Sequence, residues 1–403
     1  MKIRSFGTIA ALMAVACAAD QETDSPAGVH TEFRDSAGIR IVENANPPEG
    51  SRLDWRLGPE PLVSIGKVEG EEPYLFTRIF GATMLSDGRI VIGDDGTKEL
   101  RVFDRQGNHL ETWAGEGQGP GEFGPVQLWG LSPLPGDSII ILQYGFAQLS
   151  VYGPDGEFLR RFVPETSQRD TRNVLRSLWP RDVSRDGLLL AIQDPIDNDP
   201  ADAEVWDAAG ELRGSLGTHP GREAIRDADG AHASPVMFYR NTFLQAWGDL
   251  FFISTNRRYE LRGFALDGSL ARIVRLDRPP RVPTDAHIEA YIEDRLSSIP
   301  SDQAQRRAER RRSLLDSPVA EHLPAFAVYW TDVVDHLWVW EYEAPGEETP
   351  GTLFTVFEPG GRVLGYFEIP EGMFILEAGA DYILFRVRDE LGVETVQLWP
   401  LER

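Results

Sequence analysis

From Leu85 onward, short apolar runs alternate with tight-turn signals in a fixed order. The clearest copy reads Leu85-Ser86-Asp87-Gly88-Arg89-Ile90-Val91-Ile92, then Leu100-Arg101-Val102-Phe103-Asp104-Arg105-Gln106-Gly107. A turn, an apolar strand, a loop, a second strand and another Asp/Gly turn follow one another. Turn landmarks fall at Gly88, Gly136, Gly187, Gly248, His336 and Asp381, separated by 48, 51, 61, 88 and 45 residues. Second landmarks at Gly107, Gly156, Gly210, Gly268 and Gly361 follow the first by 19, 20, 23, 20 and 25 residues. The paired-strand core of each unit is therefore nearly constant in length. One such sheet cannot bury its faces alone, and units of roughly 40–50 residues that stack on copies of themselves define a β-propeller. A two-sheet sandwich of this length would be unusually large. The predicted fold class is all-β, a six-bladed β-propeller.

The strands carry the chemistry this arrangement needs. Ser138-Ile139-Ile140-Ile141-Leu142 and Leu250-Phe251-Phe252-Ile253 are continuous apolar runs, the pattern of strands covered on both faces. Leu149-Ser150-Val151-Tyr152 and Thr352 to Phe357 are β-branched and aromatic, as third strands. Asp155-Gly156 and Asp267-Gly268 suit tight hairpins, because glycine tolerates positive φ. Glu157 to Phe162 reads as an outer strand with its charges in water. The last unit offers three strands, Met373 to Glu377, Tyr382 to Val387 and Val393 to Trp399, and no fourth. An N-terminal strand, either Ile39 to Val42 or Pro61 to Ile65, is predicted to complete it and close the ring, removing exposed edges.

Two segments depart from the repeat. Residues 284–316 have a helical period: Thr284 or Asp285 caps a helix whose Ile288, Tyr291, Ile292 and Leu296 share a face, and Pro300 breaks it. Ser301 or Asp302 is predicted to cap a second helix to about Leu315, bearing Arg306, Arg307, Arg310, Arg311 and Arg312. The insertion reads as a helical hairpin between blades 4 and 5, packed on one face with its arginines solvated or paired. The sharper alternative is a lid or docking element for an anionic partner. The glycine-rich Gly115 to Phe123 is not a phosphate loop: no lysine follows, and Pro120 and Pro125 prevent a helix start. It fits a crossover between blades.

The N-terminus adds an address. Lys2 and Arg4 precede an uncharged, mostly apolar stretch, Phe6 to Ala16, too short to span a bilayer as a helix. It ends in Ala14-Val15-Ala16-Cys17, and Cys17 is the only cysteine in the chain, without an intrachain disulfide partner. The arrangement resembles a bacterial lipoprotein signal, which implies lipidation of Cys17; an ordinary signal peptide cut after Ala-x-Ala is the alternative. Residues 1–17 are the predicted signal, residues 18–33 an acidic flexible tether, and residues 34–403 the propeller. By resemblance to lipoprotein sorting, Ala18 after Cys17 implies the outer membrane.

Composition agrees with many short strands joined by turns: 41% hydrophobic, with 39 glycines and 28 prolines in 403 residues. The formal charge of −24 becomes −26 once Lys2 and Arg4 leave with the signal. So acidic a surface repels nucleic acid and anionic lipid, so no nucleic-acid partner is expected. Membrane contact is expected only through the lipid, and the protein is expected to be a monomer.

Arg34-Asp35-Ser36-Ala37-Gly38-Ile39-Arg40-Ile41-Val42-Glu43-Asn44, Ser86 to Val91, Val102-Phe103-Asp104 and Gly115 to Phe123 resemble the six-bladed propeller lipoproteins related to NHL-repeat proteins of bacteria. The resemblance spans about Arg34 to Arg403. It implies fold and export far more than activity, since those relatives are largely uncharacterised.

Catalytic signals are sparse. The seven histidines are scattered, without metal-ligand spacing or a Gly-x-Ser-x-Gly elbow. The acidic run Asp194 to Asp202 holds several oxygen ligands but lacks the glycine and terminal glutamate of an EF-hand loop. No resident cofactor is expected, with calcium as the possible exception. Inner strands are predicted to begin near Arg78, Gln127, Arg181, Asn241, Tyr329 and Phe374, so Arg78, Gln127, Arg181, Asn241 and Tyr329 are the candidate ligand-binding residues at the channel mouth. Arginines and amides there suit a small anionic or sugar-like ligand. The expected function is an envelope scaffold binding such a ligand or an envelope protein. The alternative is a calcium-dependent hydrolase or lyase at the central channel, which would need three or more carboxylates converging on the axis.

Overall fold

Alternation within single strands builds the ring. In the strand Ile139–Gln143, Ile139 and Ile141 join one apolar cluster with Val91 and Val102, while Ile140 and Leu142 join another with Leu189 and Ala191. Successive side chains point to opposite faces, so a strand between two neighbouring sheets must be apolar at every position. The same split recurs at Ile90/Val91 and Leu189/Leu190. The computed structural model describes residues 29–143, 148–162, 178–193, 200–226 and 233–403. Among them, six clusters join the sheets pairwise, and the cluster holding Ile65, Ile79, Leu384 and Leu398 joins the last sheet to the first. The molecule is a six-bladed β-propeller.

The inner strands of blades 1 to 6 are Ile79–Met84, Leu128–Pro133, Leu178–Val183, Thr242–Trp247, Val328–Thr331 and Met373–Ala378. Each begins a four-stranded antiparallel unit that runs outward, as in Ile79–Met84, Ile90–Asp94, Glu99–Phe103 and His109–Trp113. The hairpin landmarks hold: Gly156 has φ +76°, and a Cβ there would lie 2.2 Å from the Trp113 indole of the previous blade. The Gly115 to Phe123 segment is a crossover from blade 1 to blade 2, with Phe123 fully buried at that junction.

Both candidate N-terminal strands are used, in different blades. Val63–Ile65 pairs antiparallel with Glu394–Glu402, supplying the fourth strand of blade 6. Ile39–Ala45 instead pairs parallel with Leu270–Asp277, the outer strand of blade 4, and forms a hairpin with Thr31–Ser36. Blade 4 is thereby six-stranded. The strand Thr31–Ser36 thus starts within the predicted tether, residues 18–33. The predicted signal, Cys17, most of the tether and Asp194 to Asp199 of the acidic run lie outside the described residues.

Between blades 4 and 5 lie two helices, α1 (Asp285–Ser297) and α2 (Ala304–Leu315). The Thr284 hydroxyl caps α1 by accepting from the His287 N–H. Ile292, Leu296 and Leu314 pack on Met237, Phe238 and Leu323, at the end of the ring where inner strands begin. The expected side-chain cap by Ser301 or Asp302 is absent: Gln303 occupies the α2 N-cap without a side-chain capping bond, its Oε1 accepting from Arg306 at 3.1 Å. Arg307 instead donates to the Leu296 and Ile299 carbonyls at 2.6 and 2.9 Å, satisfying the C-terminus of α1. Arg311 bridges Glu293 and Glu289 at 2.6 and 2.5 Å. No described residue of either helix lines the central cavity. Among the described residues no helix is long and apolar enough to cross a membrane.

Candidate functional site

Six inner strands around one axis leave a cavity of about 690 Å³. Each inner strand carries a polar residue three to five positions before its turn landmark: Thr83, Ser132, Asp182, Gln245, Thr331 and Glu377. Two carboxylates in this belt reach sideways to the next blade. Asp182 of blade 3 accepts from Gln245 Nε2 at 2.7 Å and from the Ala246 N–H at 2.8 Å. Gln245 also donates to the Thr331 hydroxyl at 3.0 Å, carrying the chain into blade 5. Glu377 of blade 6 accepts from the Thr83 hydroxyl, from the Met84 N–H at 3.0 Å and from the Tyr382 hydroxyl at 2.6 Å. These bonds tie neighbouring inner strands where apolar contact gives way to the channel.

Their environment sets their charge. Enclosed by inner strands and given only amide donors, Asp182 is pushed up to about 7 by loss of hydration. Burial likewise raises Glu377, against the bonds from Thr83, Tyr382 and Met84. Asp332, at the hairpin end of blade 5, goes the other way. Burial alone would raise it, but His336, the Trp338 indole N–H and Arg403 together hold it below the usual carboxylate range.

The cavity wall is asymmetric. On blades 5 and 6 it is formed by Trp330, Trp340, Phe354, Ile369, Met373 and Phe374. Trp330 stacks on Trp338 at 5.3 Å with an interplanar angle of 11°. On blades 3 and 4 it is formed by Arg181, Asp182, Arg185 and Gln245. Arg181 lies over the rings of Trp129 and Trp179, at 5.9 and 5.4 Å. Arg185 reaches to blade 5, pairing with Asp335 at 3.0 Å.

Of the five candidate ligand-binding residues, Arg181 lines this cavity and the other four lie outside its wall. Arg78 pairs with Asp95, and its N–H donates to Asp94 at 2.8 Å. Asn241 is held the same way in blade 4, its N–H on Asn256 Oδ1 at 2.9 Å. Gln127 is exposed just before the inner strand of blade 2. Tyr329 is buried among Phe243, Phe326 and Leu337, and its hydroxyl donates to the Phe243 carbonyl at 2.9 Å. Phe374, placed at the start of an inner strand, does line the cavity. The wall takes residues from every inner strand, and Trp340, Thr352, Phe354 and Ile369 from the later strands of blade 5. The candidates mark the predicted starts of the inner strands, and the recurring polar position before each turn is also visible in the chain.

The carboxylates at the cavity do not converge. Among the described residues, no three His, Cys, Asp or Glu side chains come close enough to hold one metal ion. Asp182, Glu377 and Asp332 are each held by separate protein donors, Asp182 through Oδ2.

These features define the class: a six-bladed propeller with an open, aromatic-walled central cavity. No protein-family model and no curated protein matches the sequence. Several solved structures are similar in architecture. A Bacteroides fragilis protein described as exported shares 12% identity at a TM-score of 0.49, over 90% of this chain and 99% of that one. Virginiamycin B lyase of Staphylococcus aureus shares 10% at 0.43, over 87% and 100%. A gluconolactonase of Xanthomonas campestris shares 13% at 0.43, over 87% and 90%.

Proposed function

We propose that this protein is an exported, lipid-anchored propeller of the cell envelope that binds a small ligand in its central cavity. The observation that carries the reading is the cavity itself: its volume lies in the roughly 300–1,000 Å³ range of small-molecule sites, with apolar walls and a few polar groups. The engagement of Asp182, Glu377 and Asp332 by protein donors supports binding over a channel-metal hydrolase or lyase. Export and anchoring are supported by the resemblance of residues 1–17 to a lipoprotein signal, and kinship with NHL-related propeller lipoproteins by the segments from Arg34 to Phe123.

The test is thermal melting of the protein with a low-molecular-weight extract of the envelope. Ser132→Trp, which fills the cavity from blade 2, is the control. The expected result is a melting rise in the native protein that the variant lacks. An extract that stabilises both equally, or neither, overturns the reading. Fatty-acid labelling of the native chain but not of Cys17→Ser tests the anchor.

A further inference from the structure

The two halves of the cavity wall ask for different things from an occupant. On the side of blades 5 and 6, the polar side chains at the wall are Thr331, Thr352 and the carboxylates Asp332 and Glu377, which already hold protein donors. A sugar there would leave most hydroxyls without partners, at a cost for each. Flat rings would meet Trp330, itself backed by Trp338, and Phe374, whose 45% exposure is high for a phenylalanine. Arg386 lies 4.9 Å from the centre of the Phe374 ring, on blade 6. Phe374 is thus a partly exposed apolar surface, and covering it is favourable.

The opposite side is rich in donors. Arg181 is held over the indole rings of Trp129 and Trp179. A guanidinium has five N–H donors in a fixed fork, so it can accept a ligand anion in addition to existing partners. The neighbouring carboxylates oppose an anion weakly. Asp332 is matched by Arg403, and burial pushes Asp182 and Glu377 toward their protonated forms.

We propose that the cavity takes a flat, largely apolar ring compound bearing one anionic group, its rings against Trp330 and Phe374 and its anion at Arg181. This rests on the cavity being the ligand site. Fluorescence titration with a matched pair of probes separates the two ideas. Anilinonaphthalene sulfonate carries the anion, and N-phenyl-1-naphthylamine has the same rings without it. The protein is the full chain carrying Cys17→Ser, so that no lipid competes for the dyes.

The expected result is saturable binding of the sulfonate at one site, about tenfold tighter than the neutral dye, as one charge-assisted contact would give. Arg181→Gln should remove most of that advantage and leave the neutral dye unchanged. Phe374→Ala, at a partly exposed position that the fold tolerates, should weaken both dyes severalfold without lowering the melting temperature. Equal binding of the two dyes, still sensitive to Phe374→Ala, would overturn the anionic class and leave the cavity site standing. Binding of neither dye, or binding that neither substitution changes, would overturn the cavity site as well.

Discussion

Asn44 shows how much one side chain can hold in this ring. It is buried on the added hairpin of blade 4, donating to the carbonyls of Arg275 and Gly361 at 3.0 Å. Its oxygen accepts from the Val363 N–H at 2.9 Å and the Thr31 hydroxyl at 2.8 Å. The N-terminal hairpin, blade 4 and blade 5 thus meet at one amide. Asn44→Ala leaves several of these groups unpaired and should cost about 2–4 kcal/mol, read as a lower urea midpoint at unchanged slope. Asp182 offers a test in pH. Its folded value near 7 lies above its ordinary 3.8, so the folded state binds the extra proton between them. That contribution is fully present below the ordinary value and lost as pH rises through the folded one. Asp182→Asn should therefore gain stability relative to the native protein as pH rises from about 4 to about 7, in paired urea titrations. An unchanged difference would mean that Asp182 is solvated. Neither role was legible beforehand. Asn44 lies in a segment whose strand was visible but whose partner, 231 residues away, was not. Asp182 reads as an ordinary polar residue until its neighbours enclose it.

At the scale of elements, repeated local signals were readable and non-local pairings were not. The hairpins follow from Asp-Gly turns and apolar runs that fold with their own neighbours. Which N-terminal strand closes the ring depends on the edge each meets after the chain has circled. Val63–Ile65 meets Val396 to Leu398, while Ile39–Ala45 aligns with Arg272 to Asp277. Two truncations should separate these roles. Removing residues through Ala45 strips the added hairpin and Asn44, and should lower the melting temperature while unfolding stays cooperative. Removing residues through Gly66 also takes the fourth strand of blade 6 and Ile65 from the closing core, and should abolish a cooperative transition. A protein that melts normally without residues 1–66 would refute closure by this strand. In the helical hairpin, Arg307→Ala frees the α1 carbonyls and should cost about 1–2 kcal/mol. Arg311→Ala removes only exposed ion pairs and should leave the melting temperature nearly unchanged, with little coupling to Glu289 and Glu293 in double-mutant cycles.

For the whole molecule, the ring explains why fold was easier to read than chemistry. Blade count follows from a repeat in one dimension. The cavity is made of short stretches brought to a common axis from all six blades, so its lining is scattered along the chain. The polar belt of Thr83, Ser132, Asp182, Gln245, Thr331 and Glu377 becomes visible only when positions are counted back from each turn. That belt also decides the response to calcium. A central metal site needs several hard oxygens free to converge on one ion. Here Asp182 serves Gln245 and Ala246, Glu377 serves Thr83, Met84 and Tyr382, and Asp332 serves Trp338 and Arg403. Turning these carboxylates toward one ion would disturb the bonds that tie neighbouring blades. Adding Ca²⁺ or EDTA should therefore leave the melting temperature unchanged, whereas a site filled at a hundred times its dissociation constant would add about 2.7 kcal/mol. A melting rise with Ca²⁺ that EDTA reverses and Asp182→Asn or Glu377→Gln removes would show that the belt can rearrange around an ion, and would revive the hydrolase reading at the expense of the binding one.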